Sequence, residues 1–249
     1  MTDEFFIDSD GIQLHAKLDR PEGFEKGPLC ILFHGFTGHM EEAHIIAIQK
    51  AINDMGVAVL RAELYGHGKS GGTFRDHTLY KWVTNAISVV NYVKTLDYVT
   101  DIYLCGHSQG GLLTMLVGGM FRDVFKSIIP VSPAWMIPEI TREGKILSES
   151  FDPMNIPETV PSYAGPLSGD YIRVAQTIHV EDEINRYDGP VLIIHGDEDE
   201  AVPYSYGVKA AELYKNAKLV TVPGDDHCFN KHLDQLSDAV REYFKEMVS

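Results

Sequence analysis

A serine with a glycine two residues away on each side is the clearest sign of chemistry in this chain. Residues 106–110 read Gly-His-Ser-Gln-Gly, a G-x-S-x-G pattern that follows an apolar run at 102–105 and opens a helix-like segment at 109–121. Glycines suit the positions around Ser108 because a strand-to-helix turn is tight and pushes the serine hydroxyl outward. The alternative is a glycine-rich helix start without chemistry. The strand-turn-helix context favours Ser108 as a nucleophile.

A serine hydroxyl becomes a useful nucleophile only when a base takes its proton, so a partner histidine is required. Where serine occupies such a turn, the chain order is serine, then an acid, then histidine. His227 stands in Gly-Asp-Asp-His at 224–227, just past the apolar run 219–222. The other ten histidines do not combine this order with a position at a strand end. We therefore predict His227 as the base.

The third member should be a carboxylate that holds the imidazole in the correct tautomer. Residues 195–203 read His-Gly-Asp-Glu-Asp-Glu-Ala-Val-Pro and follow the apolar run 191–194. Most of these four acids are expected to be surface charges. The spacing to the Val-Pro pair favours Asp199 as the third member, with Asp197 as the alternative.

Acyl transfer to a serine also needs hydrogen-bond donors aimed at the oxyanion that develops in the transition state. One donor in such sites is the backbone N–H of the residue after the nucleophile, here Gln109. The other comes from the loop after an earlier strand, and His-Gly-Phe-Thr-Gly at 34–38 follows the apolar run 29–33. The spacing predicts Phe36 N–H as the second donor, although a tight turn without this role is the alternative.

These motifs must be positioned by alternating strands and helices. Apolar, β-branched runs suited to buried parallel strands recur at 29–33, 57–60, 102–105, 127–131, 191–194 and 219–222. Segments with helical periodicity lie between or after them, at 41–54, 78–96, 109–121, 203–216 and 233–247. This order predicts a doubly wound α/β fold. Asp10-Gly11, between two short alternating runs, predicts an N-terminal β-hairpin that extends the sheet.

One stretch interrupts the alternation. Residues 132–190 contain no clear strand of the main sheet and hold seven of the twelve prolines. Ordinary connections in such folds need only about 2–6 residues. We therefore predict a core formed by residues 1–131 and 191–249, with an inserted cap at 132–190.

Charge and composition exclude several classes of partner. Lys and Arg number 21 against 36 Asp and Glu, so the formal net charge of −15 disfavours nucleic acids and anionic lipid surfaces. The longest weakly polar run, 110–121, is shorter than the roughly 20 residues of a membrane span. Three cysteines without paired spacing and an N-terminus without a signal pattern lead us to expect a soluble, cytoplasmic protein.

Some patterns suggest other chemistry but lack its context. Gly-His-Gly-Lys-Ser-Gly at 66–71 matches the dinucleotide pattern G-x-G-x-x-G, yet the next helical segment begins near residue 78 rather than on the glycines. The same residues resemble the end of a P-loop, but Glu63 stands where the first glycine is required. His227 with His232, and the acids at 197–200, do not match a catalytic metal spacing. We expect neither a cofactor nor a metal, and we expect Cys228 to be inert.

Taken together, the motifs resemble the α/β-hydrolase superfamily. Matching segments are HG at 34–35, the D-x-x-G-x-G-x-S-like run 63–70 with Glu63 in place of the usual Asp, GHSQGG at 106–111 and HGDEDEAVP at 195–203. The chain is most similar to bacterial cinnamoyl (feruloyl) esterases, through HGFTG, NYVKT, IYLCGHSQGG, YIRVAQ at 171–176 and DHCF at 226–229. Glu63 is expected to matter little, because that segment carries none of the three predicted catalytic residues.

The resemblance implies an esterase that releases hydroxycinnamic acids by way of an acyl-enzyme. It also implies that a cap tyrosine, here Tyr171, meets the phenolic end of the substrate. Trp135 and His107 are further candidate substrate contacts. Cap aromatic residues would wall a pocket for a planar acid, although they could equally form a small core. A short-chain carboxylesterase, a monoacylglycerol lipase, a thioesterase and a non-catalytic binding protein of the same fold are the alternatives.

Overall fold

The computed structural model describes residues 1–248. Its strands are β1 (Thr2–Ser9), β2 (Ile12–Asp19), β3 (Gly27–Phe33), β4 (Ala58–Ala62), β5 (Val99–His107), β6 (Phe125–Val131), β7 (Lys145–Ile146), β8 (Glu149–Ser150), β9 (Thr159–Val160), β10 (Leu167–Ser168), β11 (Val191–Gly196) and β12 (Ala217–Val222). Its α-helices are α1 (Ala43–Asp54), α2 (Leu79–Lys94), α3 (Gln109–Met120), α4 (Ile137–Arg142), α5 (Gly169–Gln176), α6 (Val180–Arg186), α7 (Tyr204–Leu213) and α8 (Leu233–Met247). The six predicted strands and the five predicted helices all form.

Eight strands make one sheet in the order β1-β2-β4-β3-β5-β6-β11-β12. From β4 to β12 all neighbours are parallel, whereas β1 with β2 and β2 with β4 are antiparallel. The predicted hairpin joins β1 to β2 through Asp10 and Gly11, whose φ angles are both positive, at 54° and 79°. Such angles match the twist of a two-residue hairpin. The predicted α/β-hydrolase fold class is confirmed.

Helices cover both faces of the sheet, which explains the continuous apolar runs in its strands. Along β3, Leu29, Ile31 and Phe33 face the layer that contains α2 and α3. Cys30 and Leu32 face the opposite layer, formed by α1 and α8. Because successive side chains of a strand point to opposite faces, a strand buried on both sides must be apolar at every position.

Helix boundaries differ slightly from the sequence prediction, and the reasons are local. α2 begins after Thr78, whose side chain accepts a hydrogen bond from the Lys81 N–H at 3.2 Å, as predicted for an N-cap. The segment predicted as helical at 203–216 ends at Leu213, because Tyr214 takes an extended conformation. Tyr214 is buried. Packing of this side chain overrides the helical periodicity there.

Residues 132–190 connect β6 to β11 with short elements only. Two small hairpins, β7–β8 and β9–β10, form separate sheets outside the main one. α6, at the end of the segment, packs on α3, where a Cβ at Gly119 would lie 2.4 Å from the Glu183 carbonyl oxygen. Glycine at 119 therefore permits this close approach. The division into core and cap stays a prediction.

Within residues 1–248, no helix has the length and apolar character needed to cross a membrane.

Candidate active site

The turn between β5 and α3 carries the predicted nucleophile. Ser108 has φ 58° and ψ −119°, a conformation that costs energy in a residue with a side chain. A Cβ at Gly106 would lie 2.2 Å from the Gly110 carbonyl oxygen, and one at Gly110 would lie 2.4 Å from that of His34. Both neighbours must therefore be glycine for the turn to close. This geometry holds the Ser108 hydroxyl at the carboxyl edge of the sheet.

Two hydrogen bonds join three predicted residues in series. Ser108 Oγ lies 2.8 Å from His227 Nε2, and His227 Nδ1 lies 2.7 Å from Asp199 Oδ2. With Asp199 ionised, Nδ1–H donates to the carboxylate, which leaves Nε2 to accept from the serine hydroxyl. His227 lies in the loop after β12, and Asp199 lies in the loop after β11. Adjacent parallel strands thus bring the base and the acid to one edge, next to the serine.

The Asp199 carboxylate is fixed from several sides. Its Oδ1 accepts hydrogen bonds from the N–H groups of Ala201 and Val202, at 2.9 and 2.8 Å. Burial raises the pKa of Asp199, but hydrogen bonds from His195, His227 and the Val202 N–H outweigh burial and hold that pKa well below its ordinary value. The carboxylate is therefore ionised at neutral pH.

Asp197, the alternative acid, lies elsewhere. Its Oδ1 accepts a hydrogen bond from the Gly224 N–H at 2.6 Å, which ties the loop after β11 to the loop after β12. The structure therefore brings Asp199, and not Asp197, to the imidazole of His227.

The candidate oxyanion donors lie beside the nucleophile. Gln109 is the first residue of α3, so its N–H has no carbonyl partner within the helix, and the positive end of the helix dipole lies there. The loop after β3 approaches from the other side, since a Cβ at Gly35 would lie 3.0 Å from the Ser108 Cβ. Phe36 follows directly. Its role as the second donor stays a prediction.

His34 positions the backbone of the loop after β3. The sequence pattern indicated this residue only as part of a turn. Its Nε2 accepts a hydrogen bond from the Leu64 N–H at 3.1 Å, so its Nδ1–H donates to the Gly35 carbonyl, 2.8 Å away. Burial, with smaller effects of neighbouring charges, lowers the pKa of His34 to about 3, which keeps the ring neutral. In a trans peptide the carbonyl and the next N–H point in opposite directions. His34 thereby fixes the direction of the Phe36 N–H.

A mostly apolar pocket of about 190 Å³ opens next to Ser108. Its walls come from the loops after β3, β11 and β12, from the turn between β5 and α3, and from residues 132–190. They consist of Phe36, Ser108, Gln109, Ala134, Met136, Ile137, Ile140, Ile146, Leu147, Tyr163, Tyr171, Ala201, Val202 and His227. Phe36 and Tyr171 meet edge to face, with ring centroids 5.7 Å apart. Such a pocket suits a flat, largely apolar acyl group.

Tyr171 lines this pocket from α5. The side chain is fully buried, and its hydroxyl donates a hydrogen bond to the Gln109 Oε1 at 2.7 Å. The Gln109 Nε2 is buried without a hydrogen-bond partner within residues 1–248. Tyr171 therefore supports the side chain of the residue that follows the nucleophile. The predicted contact with a substrate phenol stays a prediction.

The other two predicted substrate contacts lie outside the pocket. Trp135 falls between the lining residues Ala134 and Met136 and points away, where its indole N–H donates to the Tyr206 carbonyl at 2.9 Å. His107 is only 3% exposed, and its Nε2–H donates to the His227 carbonyl at 2.7 Å. The structure thus places Trp135 in the core and His107 behind the base, and contact of either side chain with a substrate stays a prediction.

Residues that sequence reasoning missed are the aliphatic ones of the pocket. Ile137 and Ile140 come from the six-residue helix α4, and Ile146 and Leu147 come from the β7–β8 hairpin. Elements of this length have too little periodicity to reveal which side chains face a site. Of the five cap aromatics, Tyr163 and Tyr171 line the pocket, whereas Trp135, Phe151 and Tyr187 pack in or against the core.

The doubly wound sheet with a serine at the sharp turn after β5 defines an α/β hydrolase. A family model described as "Serine aminopeptidase, S33" matches residues 25–160, and a second, described as "TAP-like protein", matches residues 166–247. The chain belongs to the first of these families, and the α/β-hydrolase superfamily that the sequence motifs predicted is confirmed.

Two solved structures of Est1E from Butyrivibrio proteoclasticus are similar over nearly the whole chain. One, with ferulic acid bound, is 56% identical, has a TM-score of 0.97 and covers 98% of this chain and 99% of its own. The other is 54% identical with a TM-score of 0.93, and covers 98% of each chain. The ligand agrees with the resemblance to cinnamoyl esterases.

Curated relatives are more distant. Protein ABHD12B of Homo sapiens is 28% identical over 191 residues, which cover 76% of this chain and 51% of the relative. Lysophosphatidylserine lipase ABHD12 of Danio rerio is 25% identical over 219 residues, or 84% of this chain and 54% of the relative. The chain therefore spans about half the length of these relatives.

Proposed function

We propose that this protein is a serine carboxylic ester hydrolase that releases hydroxycinnamic acids, such as ferulate, from their esters. The observation that carries the proposal is the hydrogen-bonded series Ser108–His227–Asp199 at the mouth of a pocket walled by Phe36 and Tyr171. The similarity to Est1E with ferulic acid bound supports the choice of acyl group.

The proposed reaction begins when His227 Nε2 takes the proton of Ser108 as the serine oxygen attacks the ester carbonyl. Phe36 and Gln109 N–H groups stabilise the oxyanion, while Asp199 holds the imidazole and stabilises its charged form. His227 next gives its proton to the leaving alcohol. Water, activated by the same histidine, then cleaves the acyl-enzyme and releases the acid.

The substrate is tested by comparing kcat/KM for methyl ferulate, methyl butyrate and a long-chain monoacylglycerol. The two methyl esters share a leaving group, so their ratio reports the acyl group alone. We expect a clear preference for methyl ferulate. A preference for the monoacylglycerol would instead favour a lipase, which the curated name of the Danio rerio relative also suggests.

A pair of matched variants tests the aromatic wall. Tyr163 lines the pocket, is 78% exposed, and its hydroxyl lies 3.1 Å from the Thr37 Oγ1. Tyr80 is likewise exposed and lies 2.8 Å from the Thr177 Oγ1, away from the pocket. Aromatic contacts contribute about 0.5–1.5 kcal/mol, so Tyr163→Ala should raise KM for methyl ferulate roughly 2- to 10-fold. Tyr80→Ala should not change it.

A non-catalytic binding protein is the alternative of another class. Covalent labelling by a fluorophosphonate probe distinguishes the two, because only an activated serine reacts. We expect one labelled serine per chain and no labelling of Ser108→Ala. Binding of ferulate without labelling would support the binding protein.

We also propose that the protein works in the reducing cytoplasm. The support is that Cys30, Cys105 and Cys228 are all unpaired, two of them deep in the core. Thiol titration of the unfolded protein from acid-quenched cells should find three free thiols. A partly oxidised set would contradict this location.

A further inference from the structure

Behind the base lies a cluster of donor atoms that the proposed reaction does not use. A ring nitrogen of His44, a ring nitrogen of His107 and the Cys228 Sγ all lie within 4.8 Å of one another. Both histidines are buried, and their ring centroids are only 4.1 Å apart. The cluster joins three elements that are distant in sequence: the start of α1, the end of β5 and the loop after β12.

Two details of hydrogen bonding suggest that a ligand belongs between these groups. The His44 Nε2 is buried and has no hydrogen-bond partner within residues 1–248. An unpaired buried polar atom is costly, so native structures rarely retain one without a purpose. His107 donates Nε2–H to the His227 carbonyl at 2.7 Å, which leaves a lone pair on Nδ1. Donation of the other ring N–H to a backbone carbonyl is the usual support of a metal-binding histidine.

We propose that His44, His107 and Cys228 form a binding site for a zinc ion, and that its occupation inhibits the enzyme. Two imidazoles and a thiolate are ligands that zinc prefers. These three side chains leave the fourth position of a tetrahedral set to water. When zinc binds, the Cys228 thiol proton leaves to solvent as the Zn–S bond forms.

The distances require only a small adjustment. Ligand atoms around tetrahedral zinc lie about 3.5 Å apart, somewhat closer than the span of this cluster. Cys228 is only partly buried, in a loop, and rotation about its single side-chain torsion changes the sulfur position.

An entrance for cations lies next to the cluster. Cys228 borders an open cleft of about 640 Å³ whose walls include the carboxylates of residues 197–200 and Asp226, against one cation, Lys231. Together with the net charge of −15, this cleft concentrates cations near the site.

Inhibition follows from the position of His227. It precedes Cys228 in the chain, its carbonyl accepts from His107, and its ring centroid lies 4.7 Å from that of His107. Zinc bound to His107 therefore places a positive charge close to the imidazole of His227, which must itself become positively charged during the reaction, and like charges disfavour that step.

Cobalt titration of the EDTA-treated protein tests the site without reference to activity. We expect one Co²⁺ per chain, with a thiolate-to-cobalt charge-transfer absorption that added Zn²⁺ removes. Cys228→Ser and His44→Asn should lose this absorption, although Cys30 and Cys105 remain. His179→Asn, at an exposed histidine of segment 132–190, is the matched control and should keep it.

The second arm measures zinc inhibition of methyl butyrate hydrolysis. Loss of an outer-shell partner alone weakens metal sites about 10- to 100-fold, so Cys228→Ser should raise the inhibitory zinc concentration by at least about 100-fold. EDTA should restore the wild-type rate. Cobalt binding without the thiolate absorption, or equal inhibition of wild type and Cys228→Ser, would overturn the proposal and place the ion in the acidic cleft. A protein that cleaves no ester would disprove the proposed function, and the cobalt spectrum would still decide this site.

Discussion

The carboxyl edge of the sheet and the segment 132–190 meet in one pocket but are built in opposite ways. At the edge, Ser108 is held by a strained turn between two glycines that no other residue could replace. Asp199 accepts hydrogen bonds from two backbone N–H groups and contacts two imidazole rings, those of His195 and His227. Over the pocket, Leu147 and Tyr163 lie in the turns between two-residue strands and are 46% and 78% exposed. Groups that react need a fixed position, whereas groups that only line an acyl pocket tolerate a looser support.

The largest effect on kcat should come from a substitution at the carboxyl edge of the sheet. We expect Ser108→Ala to lower kcat by about 10⁶-fold, because the other members of a hydrogen-bonded series contribute little without the nucleophile. Single-turnover assays of pure protein measure it. Ser132 is the control, since it is also a buried serine with positive φ after a strand, yet its Oγ has no hydrogen-bond partner within residues 1–248. Near-normal turnover by Ser108→Ala would show that the reaction does not take place at the carboxyl edge of the sheet.

Asp199→Asn should come next, with a loss of about 10⁴-fold in kcat at pH 7. An amide at this position presents an N–H where the imidazole needs an acceptor, so the ring adopts the wrong tautomer. Asp197→Asn changes the same charge two residues away and should cost no more than a few-fold, because its carboxylate bonds to Gly224. Equal losses of kcat in Asp199→Asn and Asp197→Asn would mean that the charge of the loop, and not the contact with His227, determines the rate.

Tyr171→Phe tests where the two regions touch. It removes the hydrogen bond to Gln109 and leaves a buried acceptor unpaired, which costs about 1–3 kcal/mol. We expect kcat/KM for methyl ferulate to fall roughly tenfold, with a smaller loss for methyl butyrate if the hydroxyl also meets the substrate phenol. Equal losses for both esters would assign Tyr171 to support of Gln109 alone.

The same contrast decides what the sequence could predict. Ser108, His227 and Asp199 were predictable because each follows an apolar run, and parallel strands end at one edge of a sheet. Glycine spacing identified the nucleophile turn, because backbone contacts of 2.2–2.4 Å leave no room for a side chain.

The pocket walls were less predictable, since packing and not periodicity sets their direction. Trp135 was a candidate contact by residue type, but its neighbours Ala134 and Met136 line the pocket instead. Gly66–Gly71 resembled a dinucleotide loop for another reason: Gly68, at φ 53°, lies against the Glu63 carboxylate, which also accepts from the Lys69 N–H at 2.7 Å. The glycine there admits a buried acid, and Glu63 has a structural role that the motif did not reveal.

An effect on stability rather than on rate is expected at His77, which lies between the carboxyl edge and segment 132–190. Its ring centroid lies 5.3 Å from that of Phe36 and 5.2 Å from that of Tyr171. Burial, opposed by a hydrogen bond to the Phe74 carbonyl, lowers the pKa of His77 from 6.5 to about 3. Below pH 6.5 the imidazole of His77 therefore binds a proton in the unfolded chain, whereas in the folded chain it binds one only near pH 3. Protonation thus favours unfolding.

The stability that neutral His77 contributes is thus complete above pH 6.5 and is lost as the pH falls from 6.5 towards 3. One such proton changes the free energy of unfolding by about 1.4 kcal/mol per pH unit. His77→Gln should reduce the slope of stability against pH by up to this amount, measured by urea unfolding at steps between pH 7 and 4. His44→Gln, at a histidine whose pKa burial lowers to about 4, should act only between pH 6.5 and 4. If the free energy of unfolding of His77→Gln changed with pH in the same way as that of the wild type, water would reach His77, and its ring would not be held in an apolar environment.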